Sequence, residues 1–181
     1  MHKGRNMFNV KRLVLFGLMA LVLCTALALN TGAASAHATV PTRSAALVYC
    51  GGGTGVSCDG KDPIQWNCYL DAIDKYDATS SDLGGLTEDI ILRYSPTCGS
   101  AWALVIFSDR VPSGHYGNAI ITRTSDNRQY DCTTGDKIVY PGQTSCYSGM
   151  VDDPDWTTAW AAGMYRTGSN SWIREARTQA F

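Results

Sequence analysis

Six cysteines in the body of the chain, Cys50, Cys58, Cys68, Cys98, Cys132 and Cys146, carry its most distinctive chemistry, and a seventh, Cys24, stands apart near the amino end. Thiolates act as nucleophiles, hold soft metals or oxidise to disulfides. A zinc site asks for a close pair such as C-x2-C, yet the tightest spacing here leaves seven residues between Cys50 and Cys58. An even set in an oxidising compartment predicts three disulfides and no spare thiolate for catalysis. Six cysteines admit about fifteen pairings. Nearness along the chain favours Cys132 with Cys146, Cys50 with Cys58 and Cys68 with Cys98 without excluding the rest.

Other reactive side chains are sparse. His115 is the one histidine well inside the body of the chain, in Ser113-Gly114-His115-Tyr116-Gly117, and no Gly-x-Ser-x-Gly elbow presents a serine to it. We read it as a solvated loop histidine. Paired carboxylates need no local spacing, so Glu88, Glu175 and the many aspartates permit a hydrolase without indicating one. The run Cys58-Asp59-Gly60-Lys61-Asp62-Pro63, followed by Asp71, gathers the hard oxygen ligands that calcium prefers, with Asp59, Asp62 and Asp71 as its candidates. The same aspartates equally suit Asx turns and the bend at Pro63. Cys50-Gly51-Gly52-Gly53-Thr54-Gly55 lacks the Lys-Ser/Thr ending of a phosphate loop and reads as a disulfide-tethered turn. No catalytic or cofactor-binding residue is assigned.

Tryptophan offers a further possibility, because exposed indole faces stack on sugar rings. Trp102 opens an apolar strand and belongs in the core, whereas Trp156, Trp160 and Trp172 are the candidates for an exposed glycan-binding set.

The compartment follows from the amino end. Lys3, Arg5, Lys11 and Arg12 precede an apolar run from Leu13 to Leu29, and Gly32-Ala33-Ala34-Ser35-Ala36 supplies small residues for cleavage. This is the pattern of an export signal over residues 1–36, with a second acceptable cut after Ala38. Leu23 and Thr25 flank Cys24 where a lipoprotein signal would place a small residue first. No later segment is long and apolar enough to span a bilayer as a helix, so no membrane partner is expected after cleavage. Removing residues 1–36 leaves 145, the size of a single domain, with a loose start to about Ala46. Eleven basic residues then face sixteen acidic ones, a net charge of −5 that disfavours nucleic acid as a partner.

The elements holding these residues read as β-strands. Apolar and β-branched runs cover Thr87 to Tyr94, Ala101 to Phe107, Asn118 to Thr124, Lys137 to Tyr140 and Ser145 to Val151, with Pro, Gly and Asp clusters between them. Asp153-Pro154 could open a helix carrying Trp156, Trp160 and Met164; we prefer a strand ending at Thr167-Gly168-Ser169-Asn170 and pairing with Ser171 to Ala176. Tyr69 to Tyr76 fits either state. The expectation is an all-β, disulfide-stapled antiparallel sandwich or barrel-like domain.

Cys58-Asp59-Gly60-Lys61-Asp62-Pro63, then Cys68 and Asp71-Ala72, Leu92-Arg93-Tyr94-Ser95-Pro96-Thr97-Cys98 and Ala101-Trp102-Ala103 form a recurring pattern. Through it the chain resembles the YjfA-like secreted bacterial proteins, a domain-of-unknown-function family, over about residues 50–105, with Tyr147 to Val151 as a later Tyr-x-x-Met-Val element. The resemblance implies secretion and a compact β domain and supplies no activity. Cys132 and Cys146 look like an extra pair, and the tail around Trp172 lacks a cysteine associated with the family's end. Arg93 and Asp71 are expected to form an ion pair linking strands.

Together these features lead us to expect a noncatalytic extracellular or cell-surface-associated binding domain with a cell-wall or environmental glycan as its partner. The alternatives are a secreted hydrolase using paired carboxylates and a small proteinaceous inhibitor or toxin.

Overall fold

A computed structural model of the chain describes residues 47–81, 83–154 and 158–181; the span read as an export signal, the expected loose start and Trp156 lie outside these residues. Among the described residues nine strands form two antiparallel sheets. In the first sheet β1 (Ile73–Ser80), β2 (Glu88–Ser95) and β3 (Ser100–Phe107) make a meander, and β3 also pairs with β6 (Ser145–Tyr147) and β7 (Val151–Asp152). The second runs in the order β5 (Gln129–Asp131), β4 (His115–Arg123), β8 (Ala159–Thr167) and β9 (Ile173–Arg177).

Alternation decides which side chains meet between the sheets, because successive residues of a strand point to opposite faces. Ile90 and Leu92 on β2, Ala101, Ala103, Val105 and Phe107 on β3, Ala119 and Ile121 on β4, and Ala159, Ala161 and Tyr165 on β8 form one buried core. Alanines on β3, β4 and β8 share this core with the larger Ile90, Leu92, Val105, Phe107, Ile121 and Tyr165. The carboxyl end closes the side of this sandwich: Ala159 and Phe181 exchange backbone hydrogen bonds, and the Phe181 ring lies 5.1 Å from that of Tyr94.

A second buried cluster holds the amino-terminal turns to the first sheet. Cys50–Cys58 and Cys68–Cys98 are bonded, and Trp102 and Met150 pack with all four cysteines. The Sγ atoms of Cys50 and Cys68, in different disulfides, are 3.8 Å apart. Cys132–Cys146 lies separately in the inter-sheet core and ties the turn after β5 to β6.

Several expectations are corrected. Lys137 to Tyr140 is no strand; Lys137 takes φ 73°, and only Val139 makes a bridge, to Gly117. Ser145 to Val151 divides into β6 and β7, because Ser148 turns inward and its hydroxyl accepts from the Ala103 N–H. The ambiguous Tyr69 to Tyr76 begins as a 3-10 turn, Cys68–Asp71, and continues as β1. Arg93 pairs with Asp74 at 2.8 Å rather than with Asp71. Those two residues are register partners across β1 and β2, whereas Asp71 lies before the strand begins.

Candidate functional site

The outer face of the second sheet concentrates arginine and aromatic side chains. Since Ala159, Ala161 and Tyr165 point into the core, Trp160, Met164 and Arg166 on β8 point away from it. Register places Tyr116 beside Arg166, and sets Arg174 against Met164 and Arg177 against Ala162, on the same outward face. The guanidinium carbons of Arg174 and Arg177 sit 4.9 and 5.2 Å from the Trp160 ring centre. That of Arg166 lies 4.8 Å from the Tyr116 ring and 4.6 Å from the Trp172 ring. Tyr140 meets Tyr116 edge-on at 6.0 Å, extending the aromatic row. Ala162 makes this possible: its small side chain lets Trp160 and the β9 arginines lean over it, and it is fully buried beneath them.

These arginines differ from Arg93, Arg123 and Arg128, and from Arg110, whose guanidinium donates to the Gly142 carbonyl. Arg93, Arg123 and Arg128 all have carboxylate partners within 4.0 Å, whereas among the described residues Arg166, Arg174 and Arg177 have none. The Arg166 Nε is buried without a hydrogen-bond partner. Stacking on rings restrains each guanidinium while leaving its edge donors unspent. Asp131 shares this face from the opposite edge strand and accepts from the Asn118 amide and from the Thr133 N–H. A hollow of about 220 Å³ lined by Ile120, Gln129 and Asp131 lies on that side of the sheet.

Of the sequence-derived tryptophans, Trp160 and Trp172 are therefore brought together on one face, each half-buried, while Trp156 falls outside the described residues. Sequence reasoning missed the arginines. Their signal is the excess of basic over acidic side chains in residues 158–181, where Glu175 is the lone acid.

The carboxylates proposed for calcium are separated into three settings. Asp59, 11% exposed, accepts from Arg123 at 2.8 and 3.1 Å, from Arg128 and from the Asp152 N–H. Its partner Arg123 also reaches Asp126, whose carboxyl it holds at about 2, well below the usual range. Asp62 accepts from the backbone N–H groups of Ile64 and Gln65, the Asx arrangement suited to the bend at Pro63. Asp71 accepts from the Ser95 hydroxyl and the Thr97 N–H; burial opposes these bonds, which nonetheless lower its pKa. The structure does not converge the three on one point.

Glu88 and Glu175 are the only glutamates in the chain, and folding makes them neighbours. Glu88 opens β2, is wholly buried, and neither carboxylate oxygen has a hydrogen-bond partner. Desolvation, reinforced by the negative charge of Glu175, pushes its pKa up to about 8. A bulge in β9 re-aims Glu175: Gly163 pairs with Ala176 and Met164 with Arg174, leaving Glu175 unpaired in register between them. Nearby, His115 is no solvated loop residue. It begins β4, half-buried, with Nδ1 2.5 Å from the Tyr165 hydroxyl. The Glu88 carboxyl group lies over Gly163, where a β-carbon would come within 2.2 Å of Oε2, and no part of Glu88 reaches solvent.

A hollow of about 590 Å³ is walled by Gly51, Gly52, Gly53, Gly55 and Gly99 with Tyr94 and Pro96. The one carboxylate lining it, Asp152, already accepts from the Ser57 hydroxyl and the Cys58 N–H. Its glycines serve the tethered turn: a β-carbon on Gly51 would lie 1.8 Å from the Cys98 carbonyl oxygen.

Residues 56–173 match the model of a family described as "Protein of unknown function (DUF2690)". The chain is also 36% identical over 113 residues to the "Uncharacterized protein YjfA" of Bacillus subtilis (strain 168), covering 59% of this chain and 70% of that protein. No solved structure matches. The matched span contains the Asp59 hub, two complete disulfides, strands β1 to β8 and the start of β9, and on these grounds the chain belongs to the DUF2690 family, whose domain has no assigned function, and is similar to YjfA.

Proposed function

We propose that this is an exported, noncatalytic binding domain that engages cell-wall or environmental glycan through the outer face of its second sheet. The carrying observation is the alignment of Trp160, Trp172 and Tyr116 on one outward surface, where the sandwich core has no use for them. Aromatic rings placed together at a surface provide contact area at low conformational cost. Export is supported by the basic, apolar and small-residue pattern of residues 1–36 and by three disulfides of the kind that persist outside the cytoplasm. Among the described residues, no helix is long and apolar enough to cross a membrane. A hydrolase built on Glu88 and Glu175 gains no support, because Glu88 is sealed between the sheets.

The test is co-sedimentation of the mature domain with insoluble cell-wall preparations and polysaccharides. Retention is expected, and replacing Trp160 and Trp172 together by alanine is expected to lower it at least tenfold while the fold persists. Failure of the unmodified domain to sediment with any of them refutes the reading.

A further inference from the structure

We infer that the ligand of this face is a polyanionic glycan, recognised by Arg166, Arg174 and Arg177 rather than by bare indole surfaces. The inference rests on the binding-face reading above and specifies its chemistry.

Neutral sugars stack on open ring faces, and here the rings already carry guanidinium groups. Trp160 has two within 5.2 Å of its centre, and Arg166 lies close to both Tyr116 and Trp172. The rings therefore act as supports. They fix the planes of three guanidiniums whose N–H edges face no carboxylate among the described residues. Planar, forked donors of this kind suit carboxylate, sulfate or phosphate groups. The domain's acidic net charge makes the arrangement more telling, since sixteen acids were available as partners and none of the described ones was placed beside these residues. Glu175, the acid between Arg174 and Arg177 in sequence, is taken up by the bulge and interacts with Glu88 and Tyr165 instead.

Spacing argues for a polymer. Arg177 stands against Ala162 and Arg174 against Met164, and Arg166 follows on β8, so the three cations form a row along one strand, around Trp160 at one end and around Tyr116 and Trp172 at the other. A monovalent ion meets one end of that row at a time. A chain carrying repeated negative groups reaches both ends, and the second contact becomes intramolecular.

The experiment is isothermal titration of the mature domain with polygalacturonate, galacturonic acid, a neutral β-glucan and single-stranded DNA, at 50 and 300 mM NaCl. Polygalacturonate is expected to bind at least a hundredfold more tightly than the monomer, to weaken at least tenfold at the higher salt, and to exceed the neutral glucan. Arg174→Gln with Arg177→Gln is expected to lower polygalacturonate affinity at least tenfold with an unchanged melting temperature. Arg166→Gln is expected to do so independently. Should the double variant not fold, the salt dependence and monomer comparison on the unmodified domain decide the matter. Equal or tighter binding of the neutral glucan, insensitive to salt and to the arginine changes, overturns the polyanion inference and leaves glycan binding standing. Tighter binding of DNA than of polygalacturonate overturns it in favour of nucleic acid, and absence of binding to every probe removes both.

Discussion

Gly163 and Glu88 occupy one space: a β-carbon on Gly163 would lie 2.2 Å from the Glu88 Oε2 and 2.7 Å from the Ile90 Cγ1. Glycine on β8 is thus what admits a carboxyl side chain between the sheets. Gly163→Ala should destabilise the domain by about 1–3 kcal/mol through overpacking. Combining it with Glu88→Ala should restore part of that loss, because neighbours sharing one cavity are not additive. Urea unfolding of the two single variants and the double variant measures the coupling, and simple additivity would refute shared occupancy.

Stability should fall as pH rises. Below the ordinary carboxyl pKa of 4.5 both folded and unfolded Glu88 carry a proton, and above about 8 neither does. Between those values the unfolded chain has lost the proton that the folded one retains, so stability decreases with each pH unit. The full effect is roughly 5 kcal/mol at 1.36 kcal/mol per unit. Glu88→Gln should flatten the profile between pH 5 and 8. An equally steep decline in that variant would assign the pH dependence elsewhere.

Asp59 should behave as a structural hub. It meets two arginines and the Asp152 N–H while nearly enclosed, so Asp59→Ala leaves Arg123 without one of its two carboxylates. A loss of about 3 kcal/mol is expected, the size associated with breaking a buried pair. Melting temperature should be the same with millimolar calcium or with chelator, since Asp59, Asp62 and Asp71 are each satisfied separately. A calcium-dependent rise of several degrees would contradict this assignment.

The sulfur cluster predicts a particular pattern of rearrangement. Cys50, Cys58, Cys68 and Cys98 have their Sγ atoms all within 4.8 Å of one another. Partial reduction followed by reoxidation should exchange partners within this set and leave Cys132–Cys146 unmixed. Peptide mapping reads the pairing directly, and cross-linked peptides joining the two groups would count against it. Replacing Cys132 and Cys146 by alanine should cost about 3 kcal/mol, as for a loop of about 15 residues.

The sequence was most legible where side chains alternate against a buried face. Thr87 to Tyr94, Ala101 to Phe107 and Asn118 to Thr124 became β2, β3 and β4, and Ser171 to Ala176 became β9, paired with β8 as expected. The favoured cysteine pairing is the one the fold adopts, because each bridge spans neighbouring turns and strands. β1 was hard to see: as an edge strand it exposes most of its residues, and Ile73-Asp74-Lys75-Tyr76-Asp77 shows no apolar alternation. Lys137 to Tyr140 misled for the opposite reason, since an apolar run can line the core as a loop. Trp160 and Trp172 could be named from composition, but only register brings Arg166, Arg174 and Arg177 onto them. The meeting of Glu88 with Glu175 depends on a bulge, which leaves no periodic trace.

β9 closes one side of its sheet, and the side chains of Arg174 and Arg177 stand beside backbone groups that no further strand among the described residues meets. Such borders invite another chain to add itself, and bulky cations discourage it. Exchanging both arginines for valine would therefore do more than empty a contact surface: it would let molecules zip together side by side, so that gain of assembly and loss of recognition arise from the same two positions.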